Sequence, residues 1–176
     1  MKFIPTQLND AYIIELDLKK DDRGFFTRTF CTEIFKQQGL ETFYPQNNHS
    51  RTTKKHTLRG MHFQKEPAQE VKVVRCTRGK ILDVIIDIRK ESSTFGQHIK
   101  VELSEENNNM LYVPKGFAHG FLTLEDICDV LYMVSSPYTP EKEAGIRWND
   151  PAFNIQWPVE NPFLSEKDAA HPNFKL

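Results

Sequence analysis

Short β-rich segments follow one another closely between residues 70 and 135, and this run constrains the fold more than any other feature of the sequence. No segment with helical periodicity separates them. A βαβ fold with a parallel sheet would require such helices, so this fold is not favoured. The segments are VKVVRC, ILDVIIDI, HIKVEL, MLYV, GFAHGFLTL and CDVLYMV. We therefore predict an all-β fold, an antiparallel sandwich or jelly roll with a few short helices.

The segments that flank this run are less regular. Residues 11–18 alternate as a first strand, and the DDRG turn that follows them indicates a hairpin. Thr32 is a candidate N-cap for a short helix, and residues 43–52 are polar and contain a proline, which predicts a loop or an edge strand. In ILDVIIDI, alternation suggests that Asp83 and Asp87 lie on one side of a strand that is apolar on the other.

Length and composition fit one intracellular domain. A chain of 176 residues can bury a core without dividing, so we predict a single domain over residues 1–176 with a jelly-roll core at roughly 43–135. The 23 Lys and Arg against 24 Asp and Glu give no basic excess for nucleic acid. The three cysteines lack CxxC spacing, and the sequence shows neither a signal peptide nor a long apolar run. We expect a cytoplasmic protein without a membrane partner.

Residues 57–72, TLRGMHFQKEPAQEVK, combine several groups suited to an anionic sugar around a Gly that we interpret as a tight turn. Arg59 offers a rigid fork of donors for phosphate, and Lys72 offers a compact positive charge. His62, with an ordinary pKa of about 6.5, can take up a proton near neutrality. The alternative is an ordinary strand on which His62 and Gln64 face outward while the apolar residues that alternate with them, Met61 and Phe63, face a core.

A second histidine, His119, lies among small residues in PKGFAHGF, and together with His62 it raises the possibility of a metal site. A histidine metal site in a β-barrel usually includes an HxH pair, but Gln64 stands two residues after His62. Glu70 could serve as a third ligand, and a fourth is not evident. We therefore expect neither a metal site nor a cofactor.

Two further residues have alternative interpretations. Asp168 follows Ser165 by three residues, which is the capping-box spacing at the start of a helix, but its carboxylate could also orient His62 as a general base. Tyr132 lies in VLYMVS, where alternation alone is consistent with a half-buried strand tyrosine. The residues themselves leave both choices open.

Ten segments, in order along essentially the whole chain, resemble the dTDP-4-dehydrorhamnose 3,5-epimerase family. They are DDRGFF, QNNHS, LRGMHFQ, KVVRC, DVIIDIRKESSTFG, LSEEN, VPKGFAHGF, LYMVSSPY, IRWNDP and LSEKDAAHP. The resemblance implies a metal-free, cupin-like jelly roll that works as a homodimer, with N-terminal strands crossing to the partner. It also implies inversion at C3 and C5 of dTDP-4-dehydro-6-deoxy-D-glucose, giving dTDP-4-dehydro-L-rhamnose, in rhamnose biosynthesis.

The resemblance also assigns roles to individual residues. It implies that His62 is the catalytic base, Asp168 its partner and Tyr132 the proton donor, and that Tyr138 stacks on the nucleobase. Further positions that resemble substrate contacts are Arg23, Gln46, Asn48, Arg59, Lys72, His119, Glu143 and Lys167.

One position departs from the family pattern. After DRGFFT the family usually has an acidic residue that contacts substrate, and here that residue is Arg28. Because Arg can only donate hydrogen bonds, another nucleotide such as CDP stays open, as does inversion at C3 only. The rival classes are a catalytically silent sugar-nucleotide binding protein and a metal-dependent cupin enzyme.

Overall fold

Two antiparallel β-sheets form most of the computed structural model, which describes residues 1–175. In chain order the strands are β1 (Lys2–Pro5), β2 (Tyr12–Glu15), β3 (Lys19–Asp21), β4 (Gly24–Phe26), β5 (Gln46–Thr52), β6 (Leu58–Gln64), β7 (Lys72–Arg78), β8 (Lys80–Asp87), β9 (His98–Ser104), β10 (Met110–Val113), β11 (Phe117–Thr123), β12 (Cys128–Val134) and β13 (Glu143–Gly145). The helices are α1 (Thr32–Gln37), a 3-10 helix (Pro140–Lys142) and α2 (Glu166–Ala169).

The larger sheet has the order β1-β2-β10-β7-β12-β5, and the smaller has the order β13-β6-β11-β8-β9. Their facing sides share one hydrophobic core, to which the larger sheet contributes Val74, Leu111 and Val130 and the smaller contributes Ile85, Leu103 and Phe121. The predicted all-β, jelly-roll type of fold is confirmed. The sheets also include β1, β2 and β13, which lie outside the range 43–135.

A second core covers the other side of the smaller sheet. There Met61, Val84 and Ile86 pack against the C-terminal segment through residues such as Ile146 and Phe153. Strand β8 is therefore buried on both sides, which the alternation in its sequence did not indicate.

The prediction that Asp83 and Asp87 lie on one side of a strand that is apolar on the other is correct, but their own side is buried as well. Both carboxylates are fully buried, and a period of two places them on the same side of β8 as Ile81 and Ile85. Their burial is compensated by partners, because Asp83 accepts from a histidine and Asp87 accepts from Arg89.

The flanking predictions are largely confirmed. The first strand is shorter than expected, β3 and β4 form the predicted hairpin, and β5 is an edge strand of the larger sheet. The cap was misplaced, because Cys31 occupies the N-cap position of α1 and Thr32 is already the first helical residue. Within residues 1–175 no helix is long and apolar enough to cross a membrane.

Gly60 does not form the tight turn that we predicted. It lies inside β6 at a φ of 120°, and a Cβ at this position would come within 2.7 Å of the Cα of Gly120. The two glycines thus let the backbones of β6 and β11 approach closely. In the same ladder, His62 lies directly opposite His119.

Candidate active site

A cleft of about 470 Å³ opens beside strand β6 and is lined mainly by polar side chains. Met61 packs in the core behind β6, so the alternation predicted for this strand is correct, but His62 and Gln64 face the cleft instead of bulk solvent. A smaller adjoining cavity shares the side chains of His62, Lys72 and Tyr132 with the cleft. The predicted site residues that line one or both are Gln46, Asn48, Arg59, His62, Lys72, His119, Tyr132, Tyr138, Glu143 and Asp168.

His62 and Asp168 form a hydrogen-bonded pair, with 2.5 Å between Nε2 and Oδ1. About a third of the His62 side chain is exposed to the cleft, whereas Asp168 is buried. Burial raises the pKa of the Asp168 carboxyl, but the hydrogen bond from His62 and the nearby imidazole outweigh it and hold that pKa below its ordinary value. An ionised carboxylate can only accept, so Nε2 of His62 donates and Nδ1 keeps the free lone pair.

The helix start predicted from the capping-box spacing is correct, but Ser165 is the cap and the Asp168 side chain takes no part in it. The backbone N–H of Asp168 donates to Ser165 Oγ at 3.0 Å, which starts α2, while its carboxylate projects away from the cap toward His62. The cap and the pair therefore use different atoms of the same residue. The helix is short, and the carboxylate of Asp168 is held by the contact with His62 as well as by the start of the helix.

His171 is the one member of this cluster that sequence reasoning did not assign. Its Nε2 lies 3.6 Å from the same Oδ1 of Asp168, and its ring meets the His62 ring edge to face at 5.4 Å. Burial, followed by the charge of His62, lowers the pKa of His171. His171 follows the end of α2, and no local pattern in the sequence indicates its contact with His62.

His119 belongs to a second buried pair. Its Nε2 lies 2.6 Å from Oδ1 of Asp83, and both side chains are almost fully buried. The other oxygen of Asp83 has no hydrogen-bond partner among the described residues. His119 thus reaches the smaller cavity from a rigid position in the sheet.

Tyr132 and Lys72 face His62 from the larger sheet. Burial and then the charge of Glu70 raise the pKa of Tyr132 above 10.0, although Arg59 acts in the opposite direction. The phenol therefore stays protonated near neutrality. Lys72 forms an ion pair with Glu70, with 3.1 Å between Nζ and Oε1, and both side chains are mostly buried.

The outer end of the cleft is formed by an exposed aromatic ring and an ion pair. Tyr138, about half exposed, donates its hydroxyl to Glu143 Oε2 at 2.7 Å, and Lys167 reaches the other oxygen of Glu143 at 2.7 Å. The amide of Gln46 accepts from the Tyr138 backbone N–H at 2.6 Å. These contacts leave the face of the ring available to a planar group.

Two arginines lie elsewhere in the single chain. Arg23 is on the turn of the β3–β4 hairpin, where it pairs with Asp21 and is 90% exposed. Arg28 lines a different cavity together with Phe26 and Ile34. Neither is among the residues that line the cleft or its adjoining cavity.

The metal ligands considered from the sequence do not converge. Glu70 is bound to Lys72 and Gln64, and His119 is bound to Asp83. Within residues 1–175, the side chains that bring at least three potential ligand atoms together are His62, Asp168 and His171, whose atoms lie within 4.8 Å of one another.

Comparison with known proteins identifies the family. The sequence profile described as dTDP-4-dehydrorhamnose 3,5-epimerase matches residues 5–175. The chain belongs to the dTDP-4-dehydrorhamnose 3,5-epimerase family. The predicted family and the isomerase class are confirmed.

Relatives of this epimerase family match nearly the whole chain. The dTDP-4-dehydrorhamnose 3,5-epimerase of Shigella flexneri is 44% identical over 169 residues, covering 96% of this chain and 93% of its own length. The crystal structure of the Bacillus anthracis enzyme with TDP and PPi bound has a TM-score of 0.96 at 42% identity, over 98% of this chain and 99% of that one. The Legionella pneumophila epimerase in complex with dTDP-4-keto-L-rhamnose has a TM-score of 0.92 at 39% identity, over 98% and 92% of the two chains.

Proposed function

We propose that this protein inverts C3 and C5 of dTDP-4-dehydro-6-deoxy-D-glucose and so produces dTDP-4-dehydro-L-rhamnose. The observation that carries the proposal is the His62–Asp168 pair, which lines one cleft together with a protonated Tyr132. The full-length similarity to epimerases, one of them solved with dTDP-4-keto-L-rhamnose, supports the substrate.

His62 acts as the base. The C4 ketone of the substrate acidifies the hydrogens on both C3 and C5, and either carbanion delocalises onto the same oxygen. Asp168 accepts the Nε2 proton, which leaves Nδ1 free to remove a proton and stabilises the imidazolium that forms. One base can therefore serve both carbons.

Lys72 is placed to stabilise the enolate. Its ammonium lines both the cleft and the smaller cavity, close to the surfaces of His62 and Tyr132. Little of its side chain is exposed, so its charge is weakly screened by water. Glu70 holds the ammonium in position, and His119 lines the neighbouring wall of the smaller cavity.

Tyr132 returns the proton. Inversion needs a donor on the face opposite the base, and Tyr132 lies on β12 of the larger sheet whereas His62 lies on β6 of the smaller sheet. A phenol with a raised pKa holds its proton until an enolate is present to receive it. The stereochemical change thus depends on two residues from two sheets.

The outer cleft binds the nucleotide. The exposed ring of Tyr138 stacks on the base, and Arg59, which lines the adjoining cavity, offers guanidinium donors to phosphate. Gln46, Asn48, Glu143 and Lys167 line or border this end. Binding energy gained there orients the sugar at the reacting end.

We also propose that the protein forms a homodimer through the β3–β4 hairpin. The β3–β4 hairpin exposes Phe25 and Phe26, at 49% and 69%, and carries Arg23 at its turn. Exposed aromatic side chains on a short hairpin suit a protein partner. In the dimer we expect Arg23 to reach the phosphates of the partner's substrate. A cytoplasmic location stays a prediction from the sequence.

Proton NMR in deuterated water tests the reaction. With dTDP-4-dehydro-6-deoxyglucose as substrate, we expect deuterium at both C3 and C5 with inverted configuration. Deuterium at C3 alone would indicate a C3 epimerase, and absence of exchange would favour a silent binding protein. Parallel measurements with the CDP form of the sugar test whether Arg28 changes the choice of nucleotide.

The variant Tyr132→Phe separates the two proton transfers. Exchange with solvent should continue with retained configuration, whereas inverted product should form far more slowly. Tyr138→Phe is the matched control, because it removes a phenol from the same cleft without removing the proposed donor. An unchanged ratio of exchange to inversion in Tyr132→Phe would exclude Tyr132 as the acid.

A further inference from the structure

His171 adds an unused imidazole to the pair that the reaction needs. Its Nε2 is buried and has no hydrogen-bond partner among the described residues, although Oδ1 of Asp168 is 3.6 Å away. The ring is fixed by packing, because a Cβ on Gly145 would overlap it and the His62 ring contacts it edge to face. Nε2 of His171 is thus held rigidly near the anionic Oδ1 of Asp168, and no hydrogen bond among the described residues occupies it.

We propose that His62, Asp168 and His171 form an inhibitory site for a divalent transition metal, with Zn²⁺ as the best-suited ion. Two imidazoles and one carboxylate are donors that Zn²⁺ prefers, and three protein ligands with one open position are a common zinc arrangement. The open position here would face the cleft, since His62 lines it.

The distances suit this ion after a small adjustment. Ligands at about 2.0–2.2 Å around a tetrahedral Zn²⁺ lie roughly 3.3–3.5 Å from one another. Asp168 Oδ1 lies 2.5 Å from His62 Nε2 and 3.6 Å from His171 Nε2, and all three ligand atoms lie within 4.8 Å. His62 would have to withdraw by about 1 Å, which its partly exposed side chain permits.

Occupancy of this site removes the base. In the active form the Nε2–H of His62 donates to Asp168, and Nδ1 holds the lone pair. Zn²⁺ on Nε2 takes the lone pair of that nitrogen, and the single ring proton of a neutral imidazole moves to Nδ1. His62 then presents an N–H to the substrate and accepts no proton from it, while the nucleotide end of the cleft is unchanged.

The effect of the metal on the reaction rests on the proposed function, but metal binding itself does not. Binding and reaction are therefore tested by separate measurements. Co²⁺, which takes zinc positions and has visible absorption, is titrated into metal-free protein, and Zn²⁺ binding is followed by calorimetry. Exchange of deuterium at C3 is measured in the same samples, each normalised to its own rate in chelator, with dTDP binding as a check on folding.

We expect one equivalent of Zn²⁺ to bind per chain and to stop exchange reversibly, with dTDP still bound. Changes in residues that only support metal ligands typically cost about 10- to 100-fold in affinity, so His171→Gln should weaken Zn²⁺ binding at least that much. His171→Phe, which keeps a ring against His62, should do the same. His49→Gln is the matched control, because His49 also pairs with an aspartate, at 3.0 Å, but lies outside the cluster.

Wild-type affinity in His171→Gln or His171→Phe would overturn the site, as would failure of the folded wild type to bind Zn²⁺ or Co²⁺. Activity that disappears with chelation and returns with one divalent ion would also contradict it, because the metal would then be required. If Co²⁺ binds through His171 but no exchange occurs under any condition, the site stands and the proposed function fails.

Discussion

Two histidines at facing positions on adjacent strands each pair with a buried aspartate, yet the two pairs are built differently. His119 on β11 pairs with Asp83 on β8, so both members lie in the centre of one sheet. His62 on β6 pairs with Asp168, which is brought in by the four-residue helix α2, 106 positions away in the chain. The His119 side chain is 9% exposed, and that of His62 is 32% exposed. The same two residue types therefore give a rigid element of the sheet in one place and an accessible imidazole in the other.

The largest expected effect separates the two histidines. His62→Asn should lower exchange at C3 by about 10²- to 10⁴-fold, because it removes the general base. His119→Asn should act mainly on KM, since this residue contacts substrate without accepting the proton. Deuterium exchange and steady-state kinetics measure both. Equal losses of kcat in the two variants would contradict the distinction.

Matched substitutions compare the two carboxylates. Asp83→Asn should lower the free energy of unfolding by about 2 kcal/mol, because a buried hydrogen bond to a charged group is weakened. Asp168→Asn should lower the free energy of unfolding by about 1 kcal/mol or less. It should also reduce exchange strongly, since the imidazole loses its orienting partner. Denaturant unfolding and exchange rates at equal folded concentration test this. If the activity of Asp168→Asn falls only in proportion to folded protein, the carboxylate of Asp168 has a structural role alone.

The alkaline side of the pH profile tests whether Tyr132, on the sheet that faces His62, is the proton donor. Burial first, and then Glu70, raises the pKa of Tyr132 above 10.0. A folded-state pKa above the unfolded value stabilises the protein below pH 10 and loses that contribution as pH rises through the folded-state pKa. Because the phenol of Tyr132 also keeps its proton below this pKa, inversion should persist to pH 10 in parallel with exchange. An alkaline loss of inversion alone, beginning below pH 10, would contradict this assignment.

The smallest expected effect concerns the attachment of α2. Ser165→Ala removes the cap and should weaken the helix by about 1 kcal/mol. Because the carboxylate of Asp168 is retained, activity should fall by no more than about fivefold, the equivalent of that energy. No matching cap exists for Asp83, which is held by the ladders of β8. A loss as large as that in Asp168→Asn would show that the cap alone positions the carboxylate.

The sequence predicted those features that depend on local patterns. Alternation identified β6 and β12, and the spacing of Ser165 and Asp168 identified the start of α2. The roles of His62, Tyr132 and Asp168 followed from resemblance to the family.

Features that depend on distant segments were not predictable in this way. The burial of β8 on both sides was not predicted, because nothing in its own sequence indicates that residues 146–155 cover its outer side. His171 was missed because its significance comes from where α2 docks, which depends on packing between segments far apart in the chain.

The close approach of Gly60 and Gly120 has an evolutionary consequence. A Cβ on Gly60 would meet the Gly120 backbone at 2.7 Å, and a Cβ on Gly120 would meet the carbonyl oxygen of Arg59 at 2.7 Å. Neither residue has a functional group, yet any side chain at either position would force apart the strands that carry His62 and His119. Many residues on the surface of the cleft can be substituted one at a time during evolution. At these two positions any single substitution adds a side chain that displaces the strands. A saturation library should therefore find them among the least tolerant sites of the chain.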